Sequence, residues 1–171
     1  MQELYEGTAW KFGDHVTTDD ILPGQYLDQQ YNEVGSLVMA GIDPTFSRRI
    51  RPGDFIVAGK NFGAGSGREN AIFAIKNAGI PLVIAESFAR LFFRNAINNG
   101  LIPIILESTS SIQSGHRLRV HITKRIVEDL NTGQVFPIRN LTGTSVVILE
   151  AGGIIPFTER RLANRRKGEQ Q

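Results

Sequence analysis

The residues best placed to do chemistry stand in one glycine-rich run. It reads Gly59-Lys60-Asn61-Phe62-Gly63-Ala64-Gly65-Ser66-Gly67-Arg68-Glu69-Asn70. A strand-like run, Asp54 to Ala58, precedes it, and a helix-like run starting at Ala71 follows. Gly63, Gly65 and Gly67 let the backbone turn sharply and approach a ligand closely. Ser66 and Arg68 fall where the turn opens a helix. Backbone N–H groups and the helix dipole favour an anion there. A guanidinium beside them can grip a carboxylate or phosphate through two parallel hydrogen bonds. The expected chemistry is binding of a small anion, with Ser66 placed to act on it. The competing reading is an ordinary strand-to-helix connection whose glycines serve only turn geometry.

Three glycine-rich motifs are excluded by spacing. A phosphate-binding P-loop needs Lys-Ser or Lys-Thr after its glycines, and here Lys60 precedes them. A dinucleotide fingerprint starting at Gly63 would need glycine at position 68, which is Arg68. A hydrolase nucleophile elbow needs glycines flanking the serine at two residues' distance, but Ala64 and Arg68 stand there.

A second polar cluster fills residues 13–30, where Thr17, Thr18, Asp19 and Asp20 crowd together. Taken alone it reads as a turn and a helix cap, which threonine and aspartate serve well.

The elements that must position these clusters follow from hydrophobic pattern. Residues 7–12 read as a short strand, 13–30 as a loop and 33–41 as a short helix. Arg51-Pro52-Gly53 is a turn. Residues 54–59 and 81–85 read as buried strands. Between them Ala71, Ile72, Ile75 and Ala78 recur at helical spacing, with Gly79 as the stop. Ser87 is the expected cap of a helix from Phe88 to Asn98, with Phe88, Leu91, Phe92 and Asn95 on one face. Gly100 ends it, and residues 101–106 form a third strand. This alternation implies right-handed parallel crossovers. Beyond Gly115, residues 117–122 alternate as an antiparallel strand, and Asn131-Thr132-Gly133 closes a hairpin. A short apolar run, Val146 to Leu149, is broken at Gly152-Gly153 before Ile154. The expectation is one α/β domain, parallel strands with crossover helices and β-rich flanks.

Composition narrows the function. With 171 residues the chain buries a real core. A hydrophobic share of 41% and a charged share of 21% suit a globular protein. It has no cysteine, so it holds no disulfide and no cysteine-ligated zinc or iron–sulfur cluster of its own. His15, His116 and His121 are too scattered for a metal site. No leader or membrane-spanning run is expected, and a cytoplasmic location is the default. The net charge of +2 is uneven: residues 159–171 carry five basic side chains against two acidic ones. That tail reads as a solvated helix end in preference to a nucleic-acid contact.

The two clusters together resemble the small subunit of 3-isopropylmalate dehydratase and its relatives in the aconitase superfamily, over nearly the whole chain. The blocks that carry the resemblance include Thr18-Asp19-Asp20-Ile21-Leu22-Pro23, Tyr26-Leu27, Ala58 to Gly63, Ser66-Gly67-Arg68-Glu69 and Ile84 to Arg90. Phe93 to Asn98 and Leu149-Glu150-Ala151-Gly152-Gly153 complete them. The resemblance implies a swivelling β/β/α domain over residues 1–158, with residues 159–171 as a basic tail. It implies a hydro-lyase that moves a hydroxyl by one carbon and is active only with a large subunit, as a heterodimer or heterotetramer. The [4Fe–4S] cluster is expected in that partner, with no cofactor in this chain. By motif, Ser66 matches the base that removes a proton next to a carboxylate. Arg68 matches the carboxylate-binding arginine, and Asp19 an active-site aspartate.

Two positions depart from the family loop, which reads Gly-x-Gly-Ser-Ser-Arg-Glu-His. Gly67 stands for the second serine and Asn70 for the histidine. Gly67 removes a hydroxyl donor near the substrate but keeps its N–H. Asn70 cannot become cationic. Asp28 and Gln29 fall in the substrate-reading loop; Asp28 would repel a third carboxylate. The expected substrate pair is 3- and 2-isopropylmalate, as in leucine biosynthesis. Alternatives are citramalate, 2,3-dimethylmalate or homoaconitate, or a non-catalytic dicarboxylate-binding module of the same fold.

Overall fold

The computed structural model describes residues 1–26, 28–29 and 33–168, with side chains as far as residue 165. Seven strands form one sheet in the order β4-β3-β2-β1-β5-β6-β7. They are β1 (Leu4–Lys11), β2 (Phe55–Val57), β3 (Leu82–Ala85), β4 (Ile102–Ile105), β5 (Arg117–His121), β6 (Ile126–Asp129) and β7 (Val135–Pro137).

β1 joins two half-sheets of opposite character. Its last residues, Ala9 to Lys11, pair parallel with β2. Its first residues, Leu4 to Thr8, pair antiparallel with β5. β3 and β4 extend the parallel half, and β6 and β7 form the antiparallel edge. The expected parallel crossovers are present: α3 (Glu69–Asn77) links β2 to β3, and α4 (Arg90–Asn98) links β3 to β4. Two one-turn helices, α1 (Thr18–Ile21) and α2 (Phe46–Arg49), lie in the long connection from β1 to β2.

The parallel strands are buried on both faces, so they read as continuous apolar runs. Alternate side chains still sort into two cores. Ile56 and Val83 face one core, with Ile21, Phe46, Phe62, Ile72 and Ile75. Phe55, Val57, Leu82 and Ile84 face the other, with Leu118, Val120, Val127 and Leu149. Each fully buried side chain of this kind contributes about 1.5–3 kcal/mol.

Two local expectations are corrected. The helix expected over 33–41 is a single 3-10 turn at Val34–Leu37. Gly35 has low helical propensity, and a Cβ there would overlap the backbone at Asn77, at the end of α3. α4 starts at Arg90 behind Ala89, not at Phe88 behind Ser87. Phe62 N–H donates to Ser87 O and Ala89 N–H to Phe62 O, which holds residues 87–89 extended. The apolar run Val146 to Leu149 lies inside a helix, α5 (Thr144–Ala151), and Ile154 opens α6 (Ile154–Gly168). Leu149 is buried in the second core, and tertiary packing rather than local pattern sets that choice. Gly152 stops α5 in the left-handed conformation, as the break implied. The junction expected at 158/159 falls inside α6, and residues 169–171 lie outside the described residues.

The β6–β7 hairpin is organised by Asp129, which is fully buried. Its carboxylate accepts from Asn131 N–H at 2.9 Å, Thr132 N–H at 3.3 Å and His116 Nδ1 at 2.6 Å. Burial pushes its pKa up, but the two backbone donors and His116 outweigh it and hold the pKa below the ordinary value. A depressed carboxylate stabilises the fold fully above its unfolded pKa of about 4, and the contribution is lost as pH falls through the lower folded pKa. Asp129→Asn should therefore cost about 1–3 kcal/mol at pH 7. The deficit in Tm against the parent should shrink as pH is lowered below about 4, as followed by calorimetry across pH.

Candidate active site

Three loop segments continue the sheet past the ends of its parallel strands. The central one, residues 59–64, follows β2. On one side it binds residues 13–18: Gly63 N–H and Ala64 N–H donate to Val16 O, and Thr18 N–H donates to Ala64 O at 2.8 Å. His15 N–H also donates to Lys60 O. On the other side Glu86 N–H donates to Gly59 O, and the Ser87 hydroxyl accepts from Asn61 N–H at 2.9 Å. The loop is thus held from both flanks along its first half.

Beneath it lies an aromatic cluster. Phe62 meets Phe92 edge-on at 5.2 Å between centroids, and Phe88 stacks on Phe92 at 6.1 Å. Gly63 rests on that cluster with φ 80°, and a Cβ there would overlap the Phe92 ring. Gly67 has φ 64°, and a Cβ there would overlap Leu91. Glycine is required at both by conformation and by space.

The second half of the loop carries the chemistry. Ser66 is exposed, two residues before Arg68, which is the N-cap residue of α3. Its neighbour Gly67 is tied by its carbonyl, which accepts from Asn95 Nδ2 at 2.8 Å. Arg68 Nη1 donates to Asp19 Oδ1 at 3.1 Å. Both partners are partly exposed, so the pair adds little stability, about 0–1 kcal/mol, and its consequence is orientation of the guanidinium. Gly24 brings a further turn to the pair: a Cβ there would stand 3.4 Å from Arg68 Nη1.

Asp19 itself is presented by a capping box. Thr17 N–H donates to Asp20 Oδ2 at 2.7 Å, while Asp20 N–H donates to Thr17 Oγ1 at 3.0 Å. This one-turn helix starts in register because residues 16–18 are pinned to the glycine loop.

Of the expected site residues, the structure pairs Arg68 with Asp19, and Ser66 and Gly67 precede Arg68 on the same loop. Asp28 and Gln29 are exposed on the segment after Tyr26, with Gln29 N–H donating to Tyr26 O. Leu27, one of the residues that carries the resemblance, lies outside the described residues.

Asn95 was not expected as a site residue. The available signal was an asparagine on the apolar face of α4, since a buried amide must find partners. Lys11 ends β1 and is tied to Thr109. Its ammonium donates to Thr109 O and, at 2.7 Å, to Thr109 Oγ1. Burial lowers its pKa, partly opposed by the Glu86 and Asp14 carboxylates.

No group of three histidine, aspartate or glutamate side chains able to hold a metal occurs among the described residues. With no cysteine in the chain, these donors do not fit an iron–sulfur cluster.

The family model for the aconitase C-terminal domain matches residues 14–109, from the Asp19 segment through the glycine loop and α4. The chain belongs to that family. Relatives span nearly its whole length. The isopropylmalate/citramalate isomerase small subunit of Methanocaldococcus jannaschii is 45% identical over 95% of this chain and 98% of that protein. The 3-isopropylmalate dehydratase small subunit 2 of Archaeoglobus fulgidus is 46% identical over 90% of this chain and 94% of that protein. A methanogen homoaconitase small subunit from M. jannaschii is 45% identical over 96% of this chain and 98% of that protein. The crystal structure of 3-isopropylmalate dehydratase (LeuD) from M. jannaschii superposes with a TM-score of 0.93 at 44% identity, covering 96% of this chain and 99% of that one. Relatives with different substrate names are equally similar, so overall identity does not choose a substrate within the family.

Gly63→Ala tests the seat of the loop. It should destabilise the fold by about 2–4 kcal/mol in urea denaturation, through strain at positive φ and displacement of Phe92.

Proposed function

We propose that the chain is the small subunit of a hydro-lyase of the 3-isopropylmalate dehydratase type, interconverting 3- and 2-isopropylmalate. The observation that carries this reading is the Asp19–Arg68 pair at the opening of α3, beside an exposed serine on a glycine loop. Similarity to curated small subunits over 90–95% of the chain supports it.

In this reading Arg68 takes the substrate carboxylate in its guanidinium fork. The opening of α3 adds N–H groups without intrahelical partners. Ser66 Oγ removes the proton on the carbon next to that carboxylate. A serine is a poor base in water, and the helix N-terminus and Arg68 favour its anionic form. A large subunit completes the site. Its expected [4Fe–4S] cluster supplies Lewis-acid chemistry for the departing hydroxyl, which no group of this chain provides.

Asp28 and Gln29 lie on the segment that would face the rest of the substrate. A carboxylate there disfavours a third substrate carboxylate and leaves isopropylmalate, citramalate and dimethylmalate compatible. Residues 1–158 form the working domain, and the basic extension from residue 159 takes no part in the chemistry. The replacements at Gly67 and Asn70 favour a second reading, a dicarboxylate-binding module without turnover.

Two measurements test this on the chain assembled with its large subunit. Ser66→Ala should abolish turnover while leaving the assembly intact by light scattering; full kcat in that variant would overturn the assignment. Across a panel of hydroxy acids, a tricarboxylic substrate should show kcat/KM at least about tenfold below isopropylmalate, and Asp28→Ala should narrow that gap.

A further inference from the structure

One hydroxyl in the described chain is kept under conditions that normally select against it. Thr18 is 2% exposed, and its Oγ1 is buried with no hydrogen-bond partner. Thr17 on one side is satisfied by the capping box, and Asp19 on the other side by Arg68. An orphaned buried hydroxyl costs stability, and a valine of the same shape would remove that cost. Such a group calls for an explanation.

Its position supplies one. Thr18 N–H donates to Ala64 O, which locks the residue against the glycine loop. A Cβ built at Gly65 would stand 3.0 Å from Thr18 Oγ1, so the hydroxyl faces the loop backbone directly before Ser66. Gly65 has φ 114°, so the missing side chain leaves the path between Thr18 and the loop open. Solvent does not reach this oxygen, so its proton can be offered only to a neighbouring group of the protein. The adjoining residue with an oxygen in need of a donor is Ser66, if it carries negative charge.

We infer that Thr18 is a positioning residue for Ser66: its hydroxyl donates a hydrogen bond to Ser66 Oγ as that oxygen becomes the anionic base. This rests on the reading of Ser66 as the base. Thr18 keeps its proton throughout. Ser66 receives the proton from the substrate carbon, and the hydrogen bond weakens again when Ser66 is neutral. Hydrogen bonds to an ionised acceptor are roughly twice as strong as neutral ones. The contact is therefore worth more at the reacting stage than at rest, which is the condition for raising kcat. The orphan in the resting chain is the cost of holding that donor ready.

The test compares Thr18→Val, Thr18→Ser and Ser66→Ala in the chain assembled with its large subunit. Thr18→Val should lower kcat roughly 10- to 100-fold with KM changed less than about threefold. The rising limb of its kcat–pH profile should move to higher pH, because the base loses a donor. Thr18→Ser should restore most of the rate. The isolated full chain carrying Thr18→Val should melt at the parent temperature or above it, which a structural hydrogen bond would not allow. Should valine pack badly and lower Tm, Thr18→Ala against Thr18→Ser makes the same comparison, since both lack the methyl and only serine keeps the hydroxyl. Parental kcat and pH profile in Thr18→Val, with Ser66→Ala inactive, would overturn this inference and leave the base intact. Equal impairment in the serine and hydroxyl-free variants would also overturn it. Turnover in Ser66→Ala would instead remove the reading on which it rests.

Discussion

Backbone hydrogen bonds between three loop segments are the constraint on which the site depends. Residues 13–18, 59–64 and 86–89 carry the parallel sheet beyond its strands, and each is held by its neighbour. Asp19 and Arg68 are far apart in sequence. They meet because Gly63 and Ala64 N–H groups close on Val16 O, and Thr18 N–H closes on Ala64 O. These are ordinary backbone bonds, each worth roughly 0.5–1.5 kcal/mol net, but together they fix the register of two polar loops. A shift of one residue would turn Asp19 away from Arg68.

That ribbon works only because the loop has a firm floor. Phe62, Phe88 and Phe92 form a ring cluster under it, and Gly63 sits directly on Phe92. From there the loop rises to Ser66 and returns at Arg68 to open α3. The first half is thus pinned, with Phe62 and Gly63 buried, and Gly65 and Ser66 in the second half are exposed. Stability and chemistry are separated along residues 59–68. The same division explains why the Asp19–Arg68 pair contributes orientation rather than stability, since water screens it.

The fold was legible where pattern is strongly periodic or punctuated. The buried runs at 54–59, 81–85 and 101–106 read directly as strands, and the glycines at 79 and 100 end the helices between them. The ends of elements were less legible. Ser87 is an apt cap residue, but its hydroxyl serves Asn61 in a neighbouring loop, and the helix waits until Arg90. Val146 to Leu149 has the composition of a strand yet is helical, and Leu149 enters the second core from that helix.

What the sequence determined by itself was the inventory: a serine and an arginine on a glycine loop, a threonine–aspartate cluster, and no thiolate for a cluster of its own. Residue type limits chemistry, and these types already pointed to a carboxylate and a proton. What only the tertiary structure decided was juxtaposition. Asp19 and Arg68 are 49 residues apart in the chain, and no local propensity records that they touch. The Asn95 contact with Gly67 and the unpartnered Thr18 hydroxyl were invisible for the same reason. A buried amide or hydroxyl declares its role only through the partner it has, or lacks, once the segments are packed.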